Sequence, residues 1–298
     1  MFDLKSYLKI HRQRVNASLH SYLGTGDSDV SRVTQAMSYS VMAGGKRLRP
    51  ILCIAGAQAV EGDQEAVTAL ACALEMIHTY SLIHDDLPAM DDDEKRRGKA
   101  TCHVRFDEAT ALLAGDALLT LAFKILATTA SQFPAAEHLN WLNVIAKIAS
   151  ASGFRGMIEG QMRDMASEGK IISIEDLEIL HGLKTGKLIE ASVVSGATIA
   201  GATEIQLQAL SAYAVHIGLA FQVADDILNV TGDPERLGKN TGTDQARGKN
   251  TYPSLIGLEP AQRLADRLVD KALNALDDFD KKADPLRAIA RYIVERNR

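Results

Sequence analysis

His78-Thr79-Tyr80-Ser81-Leu82-Ile83-His84-Asp85-Asp86-Leu87-Pro88-Ala89-Met90-Asp91-Asp92-Asp93 is an apolar, helix-forming run that ends in five aspartates, interrupted only by Leu87 to Met90. Arg96 and Arg97 follow at once. Carboxylates packed this closely repel one another unless cations sit among them. Oxygen-only ligands suit a hard cation such as magnesium, commonly one that also grips substrate phosphates. A solvated acidic turn would look the same in isolation, so the rest of the chain has to decide. His78 and Asp85 are seven apart, two helical turns, and share a face. Asp85 and Asp91 are six apart, which on a continuous helix puts them on different faces. Pro88 disfavours continuing the helix, and two residues looped out beside it would return Asp91 over Asp85. The spacing therefore predicts a break or bulge at Leu87–Met90.

Outside this stretch the pattern is helical almost throughout. Alanine and leucine recur at spacings of three and four, prolines number seven, aromatics make up 5%, and alternating β-branched runs are scarce. The segments expected to be helical are 3–22, 28–42, 48–60, 63–87, 102–130, 135–168, 174–199, 203–231, 252–256, 259–276 and 284–296. No repeat or Pro/Ser-rich linker divides the 298 residues, which predicts an all-α fold, one domain of long helices around a shared interior. Net charge is −5, which argues against a non-specific nucleic-acid binder. Three cysteines without a C-x-x-C pair point to a reducing compartment rather than to disulfides or zinc. Residues 1–20 do not read as a secretory signal. The most apolar stretch, Ala109 to Ala130, is interrupted by Asp116 and Lys124, so it reads as a buried core helix rather than a membrane span.

Four further stretches carry chemistry. Ala43-Gly44-Gly45-Lys46-Arg47-Leu48-Arg49-Pro50 joins two conformationally free glycines to three cations and a helix start, a phosphate-binding pattern that a plain basic turn would share. His181-Gly182-Leu183-Lys184-Thr185-Gly186-Lys187 interrupts a helical pattern with two glycines, and predicts a kink where Lys184 and Thr185 face a cavity. Phe221-Gln222-Val223-Ala224-Asp225-Asp226-Ile227-Leu228-Asn229 is a second acidic helix end, with Gln222, Asp225 and Asn229 on one face. The segment from Thr231 to Pro253 carries four glycines with Arg236, Lys239, Arg247 and Lys249, and is long enough for a cation-bearing lid. Asp116 and Gly160-Gln161 with Asp164 lie on other helices, and their acids read as structural anchors or as residues supporting the site from behind.

Two acidic helix ends with separate basic sites would hold magnesium ions that grip a diphosphate, above apolar helix faces suited to a hydrocarbon tail. In this order, Gly44-Gly45-Lys46-Arg47-Leu48-Arg49-Pro50, Asp85-Asp86 with Asp91 and Arg96-Arg97, Lys184-Thr185, Phe221-Gln222 with Asp225-Asp226, and Gly238-Lys239 to Asp244 with Lys249 resemble the polyprenyl diphosphate synthases over essentially the whole chain, and most of all the bacterial farnesyl type. The resemblance implies antiparallel helices around a central cavity, a cytoplasmic homodimer, and head-to-tail condensation of isopentenyl diphosphate with an allylic diphosphate, dimethylallyl or geranyl. It implies three magnesium ions with substrate bound, which manganese could replace. Asp85, Asp91 and Asp225 match the metal ligands, with Asp86 and Asp226 in support. Gly45, Lys46, Arg49, His78 and Arg97 match the isopentenyl diphosphate site. Arg96, Lys184, Thr185, Gln222 and Lys239 match the allylic site, with Lys249 closing over the diphosphate.

Product length in the family is set just before the first aspartates, here Tyr80 and Ser81. A ring at Tyr80 would block the growing tail and favour a farnesyl over a geranylgeranyl product. Two departures stand out: Asn229 where relatives carry aspartate, which would weaken a metal ligand, and Ala100 where proline is common. Rival readings are a geranyl or geranylgeranyl synthase, a terpene cyclase, a head-to-head synthase, and a non-catalytic regulatory subunit.

Overall fold

The computed structural model describes residues 2–24, 30–231 and 248–295. The described chain is all-α apart from one short hairpin. In order the helices are α1 (Leu4–Leu23), α2 (Arg32–Val41), α3 (Leu48–Ala59), α4 (Thr68–Asp85), α5 (Cys102–Arg105), α6 (Glu108–Ala130), α7 (His138–Ser152), α8 (Met157–Ser167), α9 (Ile174–His181), α10 (Lys187–Ile199), α11 (Glu204–Thr231), α12 (Tyr252–Ile256), α13 (Leu258–Asn274) and α14 (Asp284–Glu295). Gly153 and Gly156 divide the expected 135–168 segment into α7 and α8. Asp107 accepts from the Thr110 N–H and starts α6 afresh, so the expected 102–130 segment is two helices. The 63–87 segment shortens to α4, and 28–42 to α2.

The hairpin pairs β1 (Lys95–Arg96) with β2 (Lys99–Ala100), which the helical pattern did not foresee. Its turn is Arg97-Gly98, both at positive φ (54° and 75°), the geometry of a two-residue hairpin loop. The Arg-Gly dipeptide was the available signal.

The pair α3 and α10 lies at the centre. Cys53, Ile54 and Leu188 pack into one apolar core with α1, α2, α4, α6 and α7. Ile51, Leu52 and Val193 pack into a second core with α11, α13 and α14. The two helices touch backbone to backbone. A Cβ on Gly56 would overlap the Val193 carbonyl, and one on Gly196 would overlap the Cys53 carbonyl. By length and composition α6 and α11 could each cross a bilayer. α6 nevertheless sends Ala114, Leu118, Ala122 and Leu126 into the first core, as a core helix does. Cys53, Cys72 and Cys102 are free and buried.

Candidate active site

α4 stops at Asp85 and the chain then loops out over Pro88, as the spacing required. The Asp91 N–H returns to donate to the Asp85 carbonyl at 2.8 Å, and the Asp93 N–H donates to the Asp86 carbonyl at 3.2 Å. Burial drives the Asp85 carboxyl up to about 6, and the neighbouring Asp91 and Asp86 add to the push while Lys184 and Arg96 oppose it. Asp86 is committed elsewhere. Its two carboxylate oxygens accept from Arg96 Nε at 2.7 and 2.9 Å, which fixes the arginine that the hairpin presents.

The glycine-basic stretch splits in two. Arg47, at φ 53°, turns inward and is 3% exposed. It donates to Glu75 at 2.7 Å, Asn16 at 2.9 Å and the Val41 carbonyl at 2.6 Å, so it braces the fold. Arg49, His78 and Arg97 instead converge. Burial and the cations Arg49, Arg97, Arg96 and Arg47 hold His78 well below its usual range, so the ring is neutral. Burial and Arg97 lower Arg49 to about 10, against the pull of Glu75. Arg49 Nε is buried without a partner in the protein. A Cβ on Gly45 would strike the Arg97 guanidinium, and Arg97 donates to the Gly44 carbonyl. Gly45 is thus a glycine so that Arg97 can lie across it. Lys46 is exposed, beside a cavity of about 660 Å³ that Phe221 and Tyr292 also line.

The expected kink at His181 to Lys187 is a π-helical turn, Gly182–Gly186. It presents Lys184 to Asp164 at 2.6 Å and Thr185 to Gln222 at 3.2 Å. Gln222 passes its amide N–H to Asp226 at 3.1 Å, and the other Asp226 oxygen accepts the Tyr252 N–H at 3.0 Å. Asp226 therefore joins α11 to the start of α12. Asp225 lies at half-buried depth on α11 and, with Asp164 and Lys184, acts on His181, which burial lowers to about 3. Asn229 is buried, 5% exposed. Lys249 Nζ reaches Asp91 at 3.1 Å and Asp164 at 3.4 Å. Lys239 lies outside the described residues.

Sequence reasoning undervalued Gln161 and Asn250 and placed Asp164 only loosely. Asp164 read as a structural anchor or a residue supporting the site, and it bonds both Lys184 and Lys249. Both polar atoms of the Gln161 amide are buried without a partner in the protein, one turn of α8 before Asp164. Asn250 read as nothing at all. The signal for all three was tertiary, and only the Gly160-Gln161…Asp164 spacing hinted at it.

The donor set suits a hard divalent cation: clustered carboxylates, one of them raised by burial and by its acidic neighbours, with an ammonium group already against Asp91. Among the described residues no three His, Cys, Asp or Glu side chains form a protein-only cage. Magnesium sites completed by substrate phosphates and water are built that way.

The polyprenyl synthetase family model matches residues 30–286. The chain belongs to the polyprenyl synthetase family. It is 45% identical over 297 residues to a geranylgeranyl diphosphate synthase of Cyanophora paradoxa, covering 99% of this chain and 97% of that one. It is also 45% identical over 300 residues to the farnesyl diphosphate synthase of Escherichia coli K12, covering 99% and 100%. Among solved structures, an FPP/GFPP synthase from Zymomonas mobilis in its apo form superposes with TM-score 0.86 at 39% identity, covering 98% of both chains. As a polyprenyl synthetase this chain is a prenyltransferase with the all-α isoprenoid synthase fold.

Proposed function

We propose that the enzyme condenses isopentenyl diphosphate head to tail with dimethylallyl and then geranyl diphosphate, giving farnesyl diphosphate, with magnesium as its metal. The observation that most supports this is the convergence of Lys184, Lys249 and Arg96 on the first aspartate cluster: all three cations reach its acids or their field. A diphosphate bound between cations and metal-bearing carboxylates would have every oxygen met by positive charge. Magnesium, when bound at Asp85, Asp91 and Asp225, supplies Lewis-acid stabilisation of the departing diphosphate.

The chain's own residues do the remainder. Lys184, Lys249, Thr185 and Gln222 take the allylic diphosphate, with Arg96 held to it by Asp86, and the Thr185–Gln222 hydrogen bond ties the π turn to α11. Lys239, outside the described residues, is assigned to the same diphosphate. Arg49, Arg97 and neutral His78 take the second diphosphate, over the bare backbone of Gly45, and Lys46, which lines the cavity beside Phe221 and Tyr292, is assigned to the same diphosphate on the resemblance alone. A neutral His78 donates or accepts a hydrogen bond there without adding charge. The purified chain with magnesium and labelled isopentenyl and dimethylallyl diphosphates tests this. No incorporation of label would favour the regulatory-subunit reading.

Product length rests on Tyr80. Its ring is 6% exposed and meets His84 edge-on at 5.7 Å, while Ser81 folds its hydroxyl back to the His78 carbonyl at 2.9 Å. The ring stands on the buried face of α4, five residues before Asp85, where it would meet a tail descending from the proposed diphosphate site. Tyr80→Ala is expected to shift the main product from farnesyl to longer chains, read by chromatography of the dephosphorylated alcohols. An unchanged profile sinks the assignment, and a longer wild-type product favours the geranylgeranyl reading. We further infer that the chain acts as one domain in a cytoplasmic homodimer. Leu112 and Leu113 on α6 and Leu139 and Leu142 on α7, each about half or more exposed, offer apolar area for a second copy. Sedimentation velocity checks the dimer.

A further inference from the structure

α8 approaches the π turn more closely than any side chain would allow. A Cβ on Gly160 would overlap the backbone of Lys184, so glycine is required for the two segments to touch. One turn further along the same face stands Asp164. A single carboxylate oxygen of Asp164 meets Lys184 Nζ at 2.6 Å and Lys249 Nζ at 3.4 Å. Beyond the end of α8, Asn250 ties its own segment down with three backbone bonds. It donates to the Ser167 and Lys170 carbonyls at 3.2 and 2.8 Å and accepts from the Ile172 N–H at 3.3 Å. The Gly169 N–H adds a bond to the Gly248 carbonyl at 3.1 Å. Two lysines that are 65 positions apart in sequence, 184 and 249, are thus mounted on one short helix.

We propose that Asp164 is a positioning residue that holds Lys184 and Lys249 as a paired cationic jaw opposite Asp85 and Asp91, with Asn250 anchoring the second lysine. The proposal rests on the reading that these lysines grip the allylic diphosphate. Two ammonium groups converging on one anion repel each other and lose side-chain freedom when they do so. A carboxylate between them cancels the repulsion and settles both rotamers before substrate arrives, so less ordering remains for binding to supply. The same carboxylate also repels a diphosphate. The proposal therefore makes a definite claim about sign: pre-ordering outweighs that repulsion.

Titration calorimetry of inorganic diphosphate with magnesium, on the full chain, tests it. Asp164→Asn keeps the shape and removes the charge. It is expected to weaken binding about tenfold. In a Lys184→Met, Lys249→Met background the same substitution should no longer weaken binding, because the groups through which it acts are gone. Unchanged or tighter binding in the single variant overturns the proposal, as does an equal loss in both backgrounds. In turnover, KM for the allylic substrate should rise about tenfold while KM for isopentenyl diphosphate stays within about twofold. A rise shared equally by both substrates would mean a general loss of structure. If Asp164→Asn does not fold, Asn250→Ala, which leaves every charge in place, should weaken diphosphate binding about threefold. No change there removes Asn250 from the scheme and overturns the anchoring of Lys249. A wild-type chain that binds diphosphate yet forms no prenyl product defeats the proposed function alone, since the coupling between Asp164 and the lysines is read without turnover.

Discussion

Asp85→Asn is expected to lower kcat roughly a hundred- to a thousandfold, the scale on which a group that stabilises developing charge acts, and to raise rather than lower thermal stability at pH 7.5 in chelator, because the amide removes a buried charge. The reason lies in the way α4 ends. Asp85 is its last residue and the Asp91 N–H is tied to the Asp85 carbonyl, so losing either carboxylate halves a ligand pair that the backbone has gone to some length to assemble. The same carboxyl gives a pH signature. Burial raises it from 3.8 to about 6 in the metal-free protein. The folded state therefore binds more protons than the unfolded one between those values, and this group's contribution to stability falls as pH rises from about 4 to 6. A divalent cation must displace the proton below about pH 6. The rise in Tm on adding magnesium should thus be larger at about pH 7.5 than at about pH 5, and Asp85→Asn should flatten the difference. An equal rise at both values, in both proteins, would place the metal elsewhere.

Glu75→Ala is expected to destabilise the fold by about 3–5 kcal/mol, the usual cost of breaking a buried ion pair by removing one partner. The side chains of Arg47 and Glu75 are 1% and 2% exposed and 2.7 Å apart. Taking away the acid leaves a guanidinium inside the protein with Asn16 and the Val41 carbonyl as its remaining bonds. Replacing both partners, Arg47→Met with Glu75→Leu, should recover most of the loss in chemical denaturation, since an apolar pair of similar volume has no charge to desolvate. A fully additive loss in the double variant would show that the bonds to Asn16 and Val41, not the ion pair, carry the stability.

The fold class was legible because helical periodicity is local, and so was the break after Asp85, because a six-residue spacing and one proline settle it. The π turn announced itself through two glycines around Lys184-Thr185. What escaped notice was decided by distant partners. Nothing in Lys46-Arg47-Leu48-Arg49 says that Arg47 turns inward to Glu75 while Arg49 faces the site. A left-handed backbone at Arg47 makes that choice, and it depends on an acid 28 positions away. Asp164 was read no further than an anchor or a support for the site, because its two lysines arrive from 20 and 85 positions further along. The hairpin at Lys95 to Ala100 has two residues per strand, too few for any alternation to show.

The glycine contact between α3 and α10 has a consequence for what this scaffold can vary. α3 begins at the stretch that carries Arg49, and α10 continues from the turn that carries Thr185. Main chain rests directly on main chain between them, at Gly56 and Gly196. On the proposed reading, the span between the two diphosphate sites is set in part by the girth of two bare helices, a dimension that side chains at the crossing do not adjust. With glycine already at both crossing positions, no substitution there can bring the two helices closer together. Any larger residue at the crossing can only drive them apart. If the two diphosphates bind as proposed, their separation is a property of the helix crossing, independent of whatever sets the length of the product.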